Sequence, residues 1–246
     1  AKFEQIPPEP QYKSYERDLA NADGSELGIK KLKLSQLVER QNVVRAGQIS
    51  FHGLSAKYAS NPTPVIQNLT VEIKAREKVG VIGRTGSGKS SLIKLLWRAL
   101  DPFQGRIEID GSDILKVDLK SLRSQIMIVT QETSIVEGSL RENLDITLKD
   151  HSEDDEILKV LKRLEFDNTE FHQKGLDMMI NTGGSNLSAG ERQLISFART
   201  LIHKRKILVL DEATACIDLK TEETIQRCIQ EDFEDTTIIT IAHRLQ

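Results

Sequence analysis

The stretch KVGVIGRTGSGKSSLIKLLWRAL, Lys78–Leu100, decides the fold. At its centre GRTGSGKS, Gly83–Ser90, fits the pattern G-x-x-x-x-G-K-[ST]. The residues before it, Lys78–Ile82, read as a buried strand, and those after it read as an amphipathic helix over Lys89–Leu100. The glycines therefore fall at a strand-to-helix turn. There, backbone N–H groups and the positive end of a helix can wrap a polyphosphate. Gly83, Gly86 and Gly88 permit close approach and unusual dihedrals, Lys89 can reach β and γ phosphates, and the Ser90 hydroxyl can hold Mg²⁺. Nucleotide binding is the direct implication. The candidate contact set is Gly83, Arg84, Thr85, Gly86, Ser87, Gly88, Lys89, Ser90 and the adjoining Ser91.

Outward from this loop the chain alternates strand-like and helix-like segments, as α/β domains do. Strands are predicted at Gln48–His52, Leu69–Ile73, Lys78–Ile82, Arg106–Ile109, Ile126–Thr130, Ile207–Leu210 and Thr237–Ile241. Further helices are predicted at Glu153–Leu164, Ala189–His203 and Thr221–Gln230. The pattern implies a largely parallel sheet with helical cover. Near Gly47 the texture changes. Pro7, Pro8 and Pro10 and a mixed-charge tract precede it, so residues 1–46 read as a linker, with a short helix available at Ile29–Val38.

Composition limits what the motifs can mean. In 246 residues, 34 basic and 37 acidic side chains give a net charge of −3, which supplies no basic footprint for nucleic acid. Cys216 and Cys228 stand twelve positions apart, with no CxxC pair and no zinc-ligand spacing, so free thiols and no zinc are expected. No apolar run approaches the ~18 residues that span a bilayer, and the first residues do not read as a signal peptide.

A phosphate loop alone is shared by kinases, GTPases and motor ATPases. ILVLDEAT, Ile207–Thr214, narrows the field: four apolar residues of a buried parallel strand end in Asp211 and Glu212, at the strand end where ligands sit in open α/β sheets. In isolation this is also the pattern of a strand running into an acidic helix start. Beside Gly83–Ser90, Asp211 is placed to approach Mg²⁺ and Glu212 to orient or deprotonate the attacking water.

Between these lies NLSAGERQL, Asn186–Leu194. It resembles the signature sequence LSGGQ of ATP-binding cassette (ABC) transporters. Leu187, Ser188 and Gly190 match, while Ala189 and Glu191 depart from it. The resemblance implies a P-loop NTPase of ABC type: a mixed or parallel sheet core, a small antiparallel β subdomain and a helical signature subdomain at about 132–205. By this resemblance the nucleotide-binding domain is expected to span 47–246, with its C-terminal end truncated. It further implies that Leu187–Glu191 face the nucleotide held by a second nucleotide-binding domain, in the same polypeptide or a homodimer. By the same resemblance Gln131 is the glutamine that contacts Mg²⁺ and senses transmembrane domains, and His243 the histidine that contacts the γ-phosphate. Tyr58 is the aromatic that stacks on adenine, and Asp218 the aspartate of the D-loop. ATP and Mg²⁺ are the implied cofactors.

SLRENLD at Ser139–Asp145 is similar to C-subfamily, multidrug-resistance-protein-like exporters, and Glu212 with the long Ser90–Leu187 interval resembles their second cassette. Arg76 stands where this family commonly carries Gly in the turn before the phosphate-loop strand, so that a turn needing positive φ would leave Arg76 mildly strained. The expected function is ATP hydrolysis powering export of an organic solute, at the cytoplasmic face of a membrane as part of an integral membrane protein. The alternatives are an ATP-gated regulatory cassette of a channel or receptor complex and a soluble ABC ATPase acting on nucleic acid or ribosomes.

Overall fold

The computed structural model describes residues 44–84, 86–130, 133–145, 154–211 and 217–242. In chain order the strands are β1 (Ile49–Ala56), β2 (Ile66–Ile73), β3 (Lys78–Ile82), β4 (Gln104–Ile109), β5 (Ser112–Asp113), β6 (Ile126–Val129), β7 (Gly138–Ser139), β8 (Met179–Ile180), β9 (Ile207–Asp211) and β10 (Thr237–Ala242). The α-helices are α1 (Lys89–Leu96), α2 (Leu119–Gln125), α3 (Leu140–Leu144), α4 (Asp154–Arg163), α5 (Thr169–Lys174), α6 (Ala189–Ile202) and α7 (Leu219–Asp232). The helix expected at Ile29–Val38 lies outside the described residues.

One sheet is parallel, in the order β3-β10-β9-β6, and one is antiparallel, β2-β1-β4-β5. A two-stranded ribbon joins β7 to β8. The unbroken ILVL run of β9 is explained by burial on both faces. Leu208 and Leu210 enter a core shared with α3, α4, α6 and α7, while Ile207 and Val209 enter a second core with α1 and the antiparallel sheet. Period-two alternation sends successive side chains to opposite faces, so a strand covered on both sides has no place for a polar residue. β10 divides in the same way, with Ile238 in the first core and Ile239 and Ile241 in the second.

β3 corrects the expectation of a buried strand. Among the described residues it pairs only with β10, Val79 and Val81 pack against the second core, and Ile82 is 52 % exposed. The reason lies in its composition and place. Lys78 and Gly80 share the Ile82 face, and the Lys78 ammonium is spent on the carbonyls of Phe233 and Thr236 at 2.6 and 2.5 Å.

Three short helices, α2, α3 and α5, escape the sequence reading. Side-chain caps at Asp118, Ser139 and Asn168 start them. Helix α1 ends at Leu96 rather than Leu100, because Arg98 turns into the left-handed region at φ 52°. Arg76 also sits there, at φ 67°, in agreement with the sequence, and its N–H donates to Thr237 Oγ1 at 2.8 Å.

Ahead of β1, residues 44–48 already pack on the domain. Val44 is buried, and its N–H donates to Gln125 Oε1 at 2.7 Å. The Asp110 carboxylate then accepts N–H bonds from Arg45, Ala46, Gly47 and Gln48 at 2.6–3.1 Å. Burial is the largest single influence on this carboxyl and would raise its pKa. The four N–H donors together outweigh it and hold the group below the usual carboxylate range.

Candidate nucleotide-binding site

Parallel register brings the functional segments to one edge. Ile82 lies opposite Ala242, Ile241 opposite Asp211, and Leu210 opposite Val129, so β3, β10, β9 and β6 end together. Gly83 follows β3 directly, and Asp211 closes β9. Such a carboxyl edge is the ligand crevice of open parallel sheets. Thr85, Gln131, Glu212 and His243 lie outside the described residues.

The loop after β3 has the shape a polyphosphate needs. Gly88, at φ 94°, caps α1 with no side-chain hydrogen bond, and no acidic residue occupies the first turn. The first N–H groups of a helix have no partner within it. The other α-helix caps described, Asp118, Ser139, Asn168, Ser188 and Asp218, each use a side chain to accept from this group of donors. At α1 the donors are left to an outside anion, helped by the helix dipole. A Cβ on Gly88 would meet the Val65 carbonyl at 2.7 Å, and one on Gly83 would meet Ser87 Oγ at 2.5 Å. The curl of the loop therefore requires glycine at Gly88, where the clash is with backbone at positive φ, while at Gly83 the close contact is with the Ser87 hydroxyl alone. Lys89 is 7 % exposed and folds back across the loop, donating to the carbonyls of Gly83 at 2.8 Å and Arg84 at 3.0 Å. Gly86, Ser87 and Ser90 are exposed, so the ammonium lies under the loop while the Ser90 hydroxyl faces out. The residues present fit a nucleotide polyphosphate with a hard cation held by oxygen ligands.

Tyr58 joins this group from the end of the antiparallel sheet. Its hydroxyl hydrogen-bonds Ser91 Oγ at 2.9 Å, and the Lys94 ammonium stands 5.3 Å from its ring centroid. Ser91 is buried. The ring is thus tied to the first turns of α1. Lys94, which the sequence reading did not single out, carries only the signal of its i+3 spacing from Ser91.

The signature segment and Asp218 form a second group. Leu187 is a core residue at 5 % exposure, so it anchors the segment, whereas Ser188 and Ala189 are exposed and Gly190 half-buried. Ser188 and Glu191 make a capping box at the start of α6: Ser188 Oγ accepts from Glu191 N at 3.1 Å, and Glu191 Oε2 accepts from Ser188 N at 2.6 Å. Asn168 Nδ2 donates to the other oxygen, Glu191 Oε1, at 2.5 Å. The S-x-x-E spacing was a legible signal for this cap; the Asn168 contact had none. Asp218 caps α7 through Thr221, accepting from its N–H at 3.0 Å and its hydroxyl at 2.7 Å. Those donors hold the Asp218 carboxyl below its ordinary range. A Cβ on Gly190 would lie 3.4 Å from Asp218 Oδ2 and 3.5 Å from Thr221 Oγ1. Ser188, Gly190, Glu191 and Asp218 thus line one cleft of about 320 Å³ between two helix starts.

No helix among the described residues is long and apolar enough to cross a membrane. Residues 66–215 match the family described as ABC transporter. The chain is 43 % identical over 200 residues to the vacuolar heme ABC transmembrane exporter abc3 of Schizosaccharomyces pombe, covering 81 % of this chain and 14 % of that protein. It is 42 % identical to bile pigment transporter 1 of Saccharomyces cerevisiae, over 83 % of this chain and 14 % of the relative. It is 43 % identical to ATP-binding cassette sub-family C member 3 of Rattus norvegicus, over 82 % and 13 %. The chain therefore spans about one seventh of the length of these curated relatives. Among solved structures, a bacterial Atm1-family ABC exporter with ATP bound aligns with a TM-score of 0.74 and 29 % identity, covering 89 % of this chain and 40 % of that one.

Proposed function

Because this chain belongs to the ABC transporter family, we propose that it is a cassette whose ATP-driven association with a second cassette, and separation on hydrolysis, powers export of an organic solute. The observation that carries the reading is the uncapped start of α1 beneath a glycine loop, at the edge where four parallel strands end. Exporter relatives and the similarity to the C subfamily support export over gating or soluble work. Residues preceding Val44 serve as the linker from a preceding transmembrane region, the boundary expected at 46 moving back because Val44–Ala46 pack on the domain, and the cassette is the second of two. The Gln131 segment meets the transmembrane domains at the cytoplasmic face.

Phosphoryl transfer needs positioning and charge neutralisation more than covalent chemistry. The loop N–H groups and Lys89 hold the β and γ phosphates, and Tyr58 carries the adenine. Ser90, Gln131 and Asp211 would hold Mg²⁺, which when bound supplies charge neutralisation on the phosphate oxygens. Glu212 polarises the attacking water, and His243 keeps the γ-phosphate in register. Ser188, the Gly190 backbone and the α6 start complete the site of the partner cassette. The test is Glu212→Gln in the assembled transporter. ATP binding by titration should persist while phosphate release is abolished, and turnover at the wild-type rate would sink the assignment.

A further inference from the structure

Arg199 is a buried cation that the nucleotide chemistry above leaves unused. It lies on α6 about three turns beyond Ser188, is 9 % exposed, and burial pushes its guanidinium down to about 10. A cation is retained at such a depth only where its donors are met. The donors here go to another segment. Nε donates to the Asn143 carbonyl at 2.6 Å, Nη1 to the Ser134 carbonyl at 2.7 Å, and Nη2 to Asn143 Oδ1 at 3.3 Å.

Asn143, on α3 and with no exposed surface, extends the grip. Its Oδ1 accepts from Val136 N at 3.0 Å, and its Nδ2 donates to the carbonyls of Val136 at 2.9 Å and Ser139 at 3.0 Å. One guanidinium and one amide thus fasten residues 134–139 to α3 and α6. That segment begins three residues after Gln131, and α6 is the helix whose start displays Ser188 and Gly190. An intact helix of this length shifts as a rod, so whatever is bolted to one end moves the other.

We propose that Arg199 is a positioning residue that couples the segment following Gln131 to the signature helix, so that a displacement of one reaches Ser188–Gly190 as a shift of α6. The functional weight of the two coupled segments rests on the reading proposed above; the mechanical link does not. A planar fork holding two carbonyls nine residues apart is a task a single ammonium performs poorly. Arg199→Met should therefore break the link, and Arg199→Lys should retain part of it.

The test is amide hydrogen exchange on the full 246-residue chain, with thermal melting to establish folding, followed by turnover in the assembled transporter. In folded Arg199→Met, amides of residues 134–139 should exchange at least about tenfold faster, and those of 188–192 should loosen with them, while β1 and β4 stay unchanged. In the transporter, kcat should fall about tenfold with the KM for ATP within about twofold, and Arg199→Lys should recover part of the loss. Unchanged exchange at 134–139, loosening there without any at 188–192, or a uniform rise over the whole chain would each overturn the proposal. If Arg199→Met does not fold, the same comparison is made with Arg199→Lys, expected at intermediate values. A chain that exchanges as described but binds no ATP refutes the nucleotide reading and leaves the coupling intact.

Discussion

Ser188 and Glu191 cap one another, hydroxyl to backbone and carboxylate to backbone, at 3.1 and 2.6 Å. The negative charge that sets this signature apart is therefore engaged by the helix start and by Asn168. Glutamine can fill the same place in a capping box. Glu191→Gln should hold stability within about 0.5 kcal/mol, whereas Glu191→Ala should cost about 1 kcal/mol in chemical denaturation. Nucleotide-driven association of Glu191→Gln should tighten by less than about fivefold, the reach of one charge at a helix terminus. A larger gain would mean that the carboxylate faces the partner's phosphates.

Gly88→Ala places a Cβ 2.7 Å from the Val65 carbonyl at φ 94°. Strain of this kind costs about 1–3 kcal/mol, and the loop can relieve it only by opening. ATP affinity should drop by about tenfold or more in calorimetric titration, while the melting of the antiparallel sheet is little altered. Unchanged affinity would show that the curl is not needed for binding.

Tyr58 is tied to α1 through Ser91, and Lys94 stands over its ring. Tyr58→Ala should weaken ATP by about 1–2 kcal/mol and leave inorganic tripolyphosphate unaffected, because only the nucleotide has a base to stack. Tyr58→Phe keeps the ring and should hold ATP affinity within about threefold, at a stability cost of about 1 kcal/mol for the lost hydrogen bond. Equal losses for both ligands would place Tyr58 in loop structure rather than base recognition.

Asp110 gathers four consecutive N–H groups. Its carboxyl is held below its unfolded value. The stabilisation is therefore fully present above about pH 4, the ordinary carboxylate value, and is lost as pH falls through the depressed folded value. Asp110→Asn should cost on the order of 2 kcal/mol at neutral pH, and its stability should decline less steeply than the wild type's in acid. Parallel acid limbs in urea titrations would refute the role.

Arg76 holds φ 67° with a side-chain ion pair to Asp235 at 3.2 Å, both partners well exposed. An exposed pair contributes little, and an L-residue in the left-handed region costs about 1–2 kcal/mol. Glycine offsets part of that gain through the unfolded chain. Arg76→Gly should therefore stabilise by about 0.5–1 kcal/mol in thermal unfolding, and a loss of stability would show that the ion pair outweighs the strain.

Local patterns were enough to point to the nucleotide loop, the strand ending in Asp211 and most strand cores, whereas the signature was read through its resemblance to LSGGQ. Each is contiguous, and a loop glycine, an apolar run or a cap reports its own physics within a few residues. The helices of five to seven residues escaped because one or two turns show no period, even where Ser139 and Glu142 spelled a capping box. Only the tertiary structure decided that β3 has an exposed face, that Tyr58 docks on Ser91 thirty-three residues away, and that Asn168 reaches Glu191 across twenty-three. It alone decided that a buried arginine on the signature helix grips the segment after Gln131. A hydrogen bond between distant residues is set by how sheets and helices pack, and neither partner carries its address in its own neighbourhood.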